Sequence, residues 1–304
     1  LKIVNDKTLH EVASTMIKKS VTRVAPDVLY LLKRAYENER SPVARKILEA
    51  MISNSYAAQK KSVPLCQSPG YPVIYVKIGA VKIETNIQKV FQKAIVEATR
   101  EGLLRPSMVH PITRRNPGDN SGIGIPEVEV ELVPGEADYS EVVISFKGCG
   151  AELPSALKVF TPAEVGREGV GLKRFILETV ARADGIPCPP MGIGVGIGGQ
   201  MHTAAKLSRK AISTRLWTDV NPDVGLARLE EELLRSINSL GIGPAGLGGD
   251  TTALTVKVEI AYTHTAICPV AVNFHCWAVR RITTRFLPDG SILFVEDEYA
   301  GKTT

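Results

Sequence analysis

Apolar residues recur at helical spacing through the first sixty positions: Val12, Met16 and Ile17, then Val28, Leu31, Leu32 and Ala35, then Val43, Ile47, Ala50 and Met51. Spacings of three and four residues put these side chains on one face of a helix, so the stretch predicts consecutive amphipathic helices. Ser41 followed by Pro42 supplies a start signal, a side-chain oxygen that caps free amides and then a ring already set to a helical φ. Past residue 60 the period changes. VIYVKIGAVKI at 73–83 predicts a strand or hairpin, and Ile87, Val90, Phe91, Ala94, Ile95 and Ala98 predict a helix after Asn86. EVEVELV at 127–133 alternates strictly, as a strand with one wet face does, and EVVISFK at 141–147 is a second strand that ends on Gly148, Cys149 and Gly150. Thr161, Pro162 and Glu164 form a capping box, with Gly166, Gly169 and Gly171 shortening that helix before another begins near Leu172. Residues 192–199 alternate glycine with Ile or Val and read as a loop whose backbone comes close to something. A helix through Leu226, Leu229, Leu233, Leu234 and Ile237 stops at Gly241, and LTVKVEIAYT and PVAVNF supply the last strands. Without a regular strand–helix–strand rhythm the fold class is α+β, with an N-terminal helical subdomain at 1–60 and a continuous α+β domain at 61–304.

A chain of 304 residues, 44% hydrophobic and 23% charged, can bury a substantial core. No run of eighteen apolar residues occurs, and the N-terminus is patterned as an amphipathic helix, so neither a membrane span nor a cleaved secretory signal is expected and the expected location is cytoplasmic. The net charge of +5 is spread without a Lys/Arg block, which argues against nucleic acid as a partner and suits a small dianion. Five cysteines are too few and too scattered for a disulfide framework.

Three of those cysteines stand alone in turns rich in glycine or proline: Cys66 in SVPLCQSPG, Cys188 in DGIPCPPMG and Cys276 in VNFHCWAVRR. Thiolates suit iron–sulfur clusters, and three of them on a four-iron cube leave one iron open to substrate. Their separations match neither a zinc ribbon nor a ferredoxin run, and an ordinary buried small hydrophobe is the alternative for each. The glycine run at 192–199 lacks the Lys-Ser/Thr of a P-loop and the register of a dinucleotide fingerprint, so close packing beside a cluster is preferred over a phosphate cradle.

Taken together, AYENE at 35–39, SVPLCQSPG at 62–70, HPITRRNPGDN at 110–120, FKGCGAE at 146–152, GIPCPPMGIGVGIGG at 185–199, LGIGPAGLGGDTTAL at 240–254 and PVAVNFHCWAVRR at 269–281 resemble the iron–sulfur hydro-lyase family, which includes class I fumarate hydratase and L(+)-tartrate dehydratase. The likeness is to the alpha-subunit type and runs through nearly the whole chain. It implies the class I fumarase alpha-subunit fold and a [4Fe-4S] cluster held by Cys66, Cys188 and Cys276 with one substrate-accessible iron. It also implies reversible hydration of an unsaturated dicarboxylate, fumarate to (S)-malate first and tartrate dehydration or a related diacid as the alternative. Gln67 and Arg105 would bind substrate, as would the backbone of Gly148, Cys149 and Gly150. His110 is the histidine best placed to orient or protonate substrate, with His275 beside a ligand cysteine; a structural role is the alternative for both, as it is for Asp119, Asn120, Thr251 and Thr252.

Two positions depart from the family pattern. Ser68 stands where an acidic residue is usual, and Gly148-Cys149-Gly150-Ala151-Glu152-Leu153 replaces the usual Gly-Gly-Gly-Ser-Glu-Asn. Ser68 and His110 are the candidate catalytic positions, although a serine hydroxyl is no carboxylate base. A beta subunit would complete the active site in an α2β2 assembly. A catalytically impaired iron–sulfur paralogue with a binding or regulatory role, and a zinc-binding structural domain, are the readings from other classes.

Overall fold

The three N-terminal helices form where the apolar period places them. In the computed structural model, which describes residues 3–297 and residue 299, α1 (Asp6–Thr22) starts at Asn5, whose side chain accepts from the Thr8 amide at 3.0 Å. Next come α2 (Pro26–Asn38) and α3 (Pro42–Lys61), the latter started by the expected Ser41–Pro42 pair. The chain gathers into two compact units, one of Leu1–Pro26, Asn54–Lys147 and Ala278–Thr304, the other of Asp27–Ser53 and Gly148–Trp277. The helices of residues 1–60 are thus distributed over both.

In the first unit β2 (Tyr71–Ile78), β4 (Glu127–Leu132), β5 (Ser140–Lys147), β10 (Arg280–Phe286) and β11 (Ile292–Phe294) make a five-stranded sheet in the order β11-β10-β5-β2-β4. Only β2 and β4 run parallel. Leu9, Met16 and Ile17 of α1 and Phe91 and Ile95 of α4 (Ile87–Arg100) share one core with Ile74, Val142, Ile144 and Ile282 of the sheet. Asn86 caps α4 by accepting from the Lys89 amide at 3.0 Å. The 73–83 stretch is a strand and not a hairpin: its second half, β3 (Lys82–Ile83), pairs in parallel with β1 (Ile3–Val4). Gly79 permits the departure, since a Cβ there would lie 2.2 Å from the Tyr139 carbonyl oxygen.

The second unit holds a four-stranded sheet in the order β6-β9-β7-β8, from β6 (Ala156–Phe160), β7 (Met191–Gly198), β8 (Ala253–Ala261) and β9 (Cys268–His275). Besides α2 and the first part of α3, it holds α5 (Cys149–Glu152), α6 (Pro162–Val165), α7 (Val170–Ala183), α8 (Met201–Thr214) and α9 (Val224–Asn238). The capping box at α6 forms as expected, with the Thr161 amide donating to Glu164 Oε2 at 2.8 Å and the Glu164 amide to Thr161 Oγ1 at 3.4 Å. The glycine run at 192–199 differs from the loop the sequence suggested. It is β7, the strand that pairs with both β8 and β9, and its glycines admit α8: a Cβ on Gly194 or Gly196 would lie 2.0 Å from the carbonyl oxygen of Ser208 or Ala204. The close approach is therefore helix to sheet. Helices and mixed sheets together make this an α+β protein, and among the described residues no helix is long and apolar enough to cross a membrane.

Candidate active site

Cys188 ends the turn between α7 and β7. Its φ of +56° lies in the left-handed region, which costs a residue with a Cβ about 1 kcal/mol or more, so the surroundings must hold it there. They do so through backbone bonds: the Cys188 amide donates to Gly185 O at 3.1 Å, and the Trp277 amide donates to Cys188 O at 3.4 Å. The second bond sets the turn of Cys276 beside the turn of Cys188. Gly150 belongs to the same neighbourhood, because a Cβ on it would lie 2.8 Å from Ile186 O. Gly148 is buried and Cys149 exposed at the start of the single-turn α5, whose first amides have no partner within the helix.

Neighbouring loops brace this cluster of turns. Ala245 donates its amide to Pro189 O at 2.8 Å, and Gly246 leaves no room for a side chain against Gly185. That glycine-rich loop is tied down by the AYENE segment: both carboxylate oxygens of buried Glu39 lie 3.0 Å from the Asp250 amide, and Arg40 grips Asp250 through Nε and Nη2 at 2.8 and 2.6 Å. The hydrogen bonds from Arg40 hold the Asp250 carboxyl down to about 2. Thr252 is fully buried and accepts from the Gly243 amide, so it braces the loop. His275 is also fully buried, its ring edge-on to Trp217 with centroids 6.2 Å apart and its Nδ1 3.3 Å from Cys276 O.

The first unit presents Cys66, Gln67 and Ser68. The turn hangs from two bonds to Leu65, whose amide donates to Val21 O at 2.8 Å and whose carbonyl accepts from Asn54 Nδ2 at 3.1 Å. Cys66 and Gln67 are exposed, and the Ser68 amide lies 3.5 Å from Cys66 Sγ, a donor aimed at the sulfur. Arg105 is exposed at the start of a segment that Asn120 fixes from beneath, and His110 is exposed on a turn whose Ile112 and Thr113 amides both donate to its Nδ1, at 3.3 and 3.2 Å. That pattern leaves Nδ1 unprotonated and puts the ring proton on Nε2. Asp119 accepts from the Ser121 hydroxyl and amide at 2.6 and 3.0 Å, which lowers its pKa and accounts for it as a turn residue.

All five cysteines are thiols rather than disulfides. Cys66, Cys149 and Cys188 are exposed and Cys276 partly so; Cys268, at the start of β9, packs against the core, and burial pushes its thiol pKa up. Among the described residues no group of three or more His, Cys, Asp or Glu side chains converges to hold a single metal ion. The donor set does suit a cluster: soft thiols at the tips of stiff turns, one with a backbone amide directed at its sulfur. A shallow cleft of about 400 Å³ lined by Asp6, Lys7, His10 and Lys93 contains none of the candidate residues. Sequence reasoning missed Arg280 in β10, which is 1% exposed and donates Nε to Pro69 O at 3.0 Å. The consecutive arginines after Cys276 were its only signal.

The family described as Fumarate hydratase (Fumerase) matches residues 10–285. A protein of Methanocaldococcus jannaschii named "Putative L(+)-tartrate dehydratase subunit alpha" is 40% identical over 93% of this chain and 99% of its own length. The L(+)-tartrate dehydratase subunit alpha of Escherichia coli UTI89 is 35% identical over 92% of this chain and 91% of its own length, and that of strain K12 is 35% identical over 90% and 89%. With the match spanning both compact units and every cysteine-bearing turn, the chain belongs to the fumarate hydratase (Fumerase) family.

Proposed function

We propose that this chain is the alpha-type subunit of an iron–sulfur hydro-lyase that adds water reversibly to an unsaturated dicarboxylate, fumarate to (S)-malate in the first instance. The single observation that carries the reading is the Trp277–Cys188 backbone bond, which sets two of the three expected ligand turns side by side in a protein of this family. L(+)-tartrate dehydration is the second reading, favoured by the names of the relatives.

Cys66, Cys188 and Cys276 would hold a [4Fe-4S] cluster, which supplies an electrophilic iron to stabilise the hydroxyl that leaves or adds. The remaining work falls to the chain's own groups. Arg105 offers a planar fork to one carboxylate, from a backbone that Asn120 anchors through the Arg105 carbonyl. Gln67 and the amides of Gly148, Cys149 and Gly150 supply neutral donors for substrate oxygens. His110, with Nδ1 committed to two amides, has Nε2–H left to donate to a substrate oxygen. Ser68 can bond substrate through its hydroxyl but cannot take a proton from carbon as a carboxylate does, so that role falls to a group of a partner. A beta subunit is that partner, as the alpha-subunit names of the relatives suggest, in an α2β2 assembly with a cytoplasmic location.

The test is anaerobic purification with the neighbour-encoded partner, followed by metal and sulfide analysis and assays on fumarate and L-tartrate. The expected result is about four iron and four sulfide per chain, with water addition or loss on at least one diacid. Zinc without sulfide would assign a structural metal domain, and an intact cluster indifferent to every diacid would assign a non-enzymatic paralogue.

A further inference from the structure

Arg280 opens β10 at the edge of the Cys66 turn. Its register partner on β5 is Phe146, which is paired in turn with Pro72 on β2, just past that turn. The side chain is buried, its Nε donates to Pro69 O at 3.0 Å, and both Nη1 and Nη2 are buried with no hydrogen-bond partner among the described residues. The next residue shows the ordinary solution for such a cation: Arg281, equally buried, is paired with Glu296 at 3.4 Å. A guanidinium does not give up its proton, and a buried charge is costly unless a counter-charge or hydrogen bonds compensate it. The element to which Arg280 is bonded carries Cys66, where thiolate ligation would bring negative charge.

We propose that Arg280 is a positioning residue of the iron–sulfur site: Nε pins the Pro69 carbonyl and with it the Cys66 turn, while the uncompensated guanidinium charge stabilises the anionic, thiolate-ligated cluster. The inference rests on the cluster reading given above. Potentials of such clusters respond to net charge and to hydrogen bonds around the sulfurs, so a fixed cation behind one ligand turn raises the potential and slows loss of iron. A substrate carboxylate would satisfy the same fork, but both Nη atoms are closed to solvent, which favours the resident anion over a diffusing one.

The variants are Arg280→Gln, which keeps a donor and removes the charge, and Arg280→Lys, which keeps the charge and removes the fork, each in the assembled enzyme purified anaerobically. Arg280→Gln is expected to lower the cluster's reduction potential and to lose iron in air about tenfold faster than the parent, with KM for the diacid within about twofold. Arg280→Lys is expected to hold the parental potential. A potential and an iron-loss rate in Arg280→Gln equal to the parent's would overturn the proposal. So would a potential in Arg280→Lys as low as that in Arg280→Gln, or an unchanged potential with a KM raised about tenfold, which would give the fork to substrate. Should Arg280→Gln not fold, the uncharged Arg280→Met takes its place in the comparison, and a potential in Arg280→Lys below the parent's overturns the proposal in either case. A parent protein without iron and sulfide sinks the cluster reading itself, whereas a loaded parent with indifferent variants sinks only the role of Arg280.

Discussion

Asn120 spends its whole hydrogen-bonding capacity on its neighbours. Oδ1 accepts from the amides of Ser107 and Met108 at 2.8 and 3.1 Å, and Nδ2 donates to Thr99 Oγ1 and Arg105 O at 2.9 and 3.0 Å. The residue is buried at a φ of +58°, a conformation asparagine tolerates better than other residues with a Cβ. The sequence places a side-chain-to-backbone bonding residue here from the turn composition alone. The target is the segment that carries Arg105, which composition does not specify. Asn120→Ala leaves several buried groups without partners and forces alanine into the left-handed region, so it should destabilise the protein by about 2–3 kcal/mol in urea unfolding. In the assembled enzyme it should also raise KM more than it lowers kcat, because Arg105 loses its fixed presentation while the other groups stay in place. An urea midpoint equal to the parent's would show that the bonds are idle. Asn120→Gly separates the two parts of the cost, since it relieves the φ strain and leaves the amides of Ser107 and Met108 unpaired.

At the scale of elements, β7 and α8 are the pair that the glycine pattern builds. Every second residue of β7 is glycine, and at Gly194 and Gly196 the α8 backbone occupies the space a side chain would take, with the Ser208 and Ala204 carbonyls against them. Gly196→Ala would place its Cβ against backbone atoms that have no rotamer to change, so the helix itself must move. The expected cost is about 3 kcal/mol or more, read as a lower urea midpoint with an unchanged slope. An alanine tolerated without loss would mean that α8 slides freely on the sheet. The helices, the alternating strands and the capping box at Thr161 were legible because period and cap chemistry are local. The role of the 192–199 run was not, since a strand whose one face is bare glycine has half the alternation that marks a strand, and what fills the bare face comes from a later helix. β3 escaped for a similar reason: its partner is Ile3–Val4, at the far end of the chain segment, and no local signal names it.

For the whole molecule, motif likeness names candidate positions for the chemistry but not how the chain arranges them. Cys188 and Cys276 are distant in sequence yet joined through the Trp277 amide, and no spacing rule predicts a bond that depends on how β9 and β7 pair. Arg280 went unread because a buried arginine is recognised by the groups it lacks, which only the packed chain reveals. The net charge of +5 is modest, and the donors proposed here for the substrate are Arg105, Gln67, His110 and backbone amides, with Ser68 where the family's acid stands. Those groups can bind and orient a diacid but include no positioned carboxylate to remove a proton from carbon. Loaded with its cluster and purified without a partner, the chain should therefore retain iron and sulfide and yet turn over its diacid at least about a hundredfold more slowly than the assembled enzyme, the penalty expected when catalytic groups are missing or misplaced. Adding the separately purified beta subunit should restore the rate in proportion to the complex formed, followed by size-exclusion chromatography and assay of the same fractions. Full turnover by the chain alone would place the base on this polypeptide and would reopen the role of Ser68 and His110.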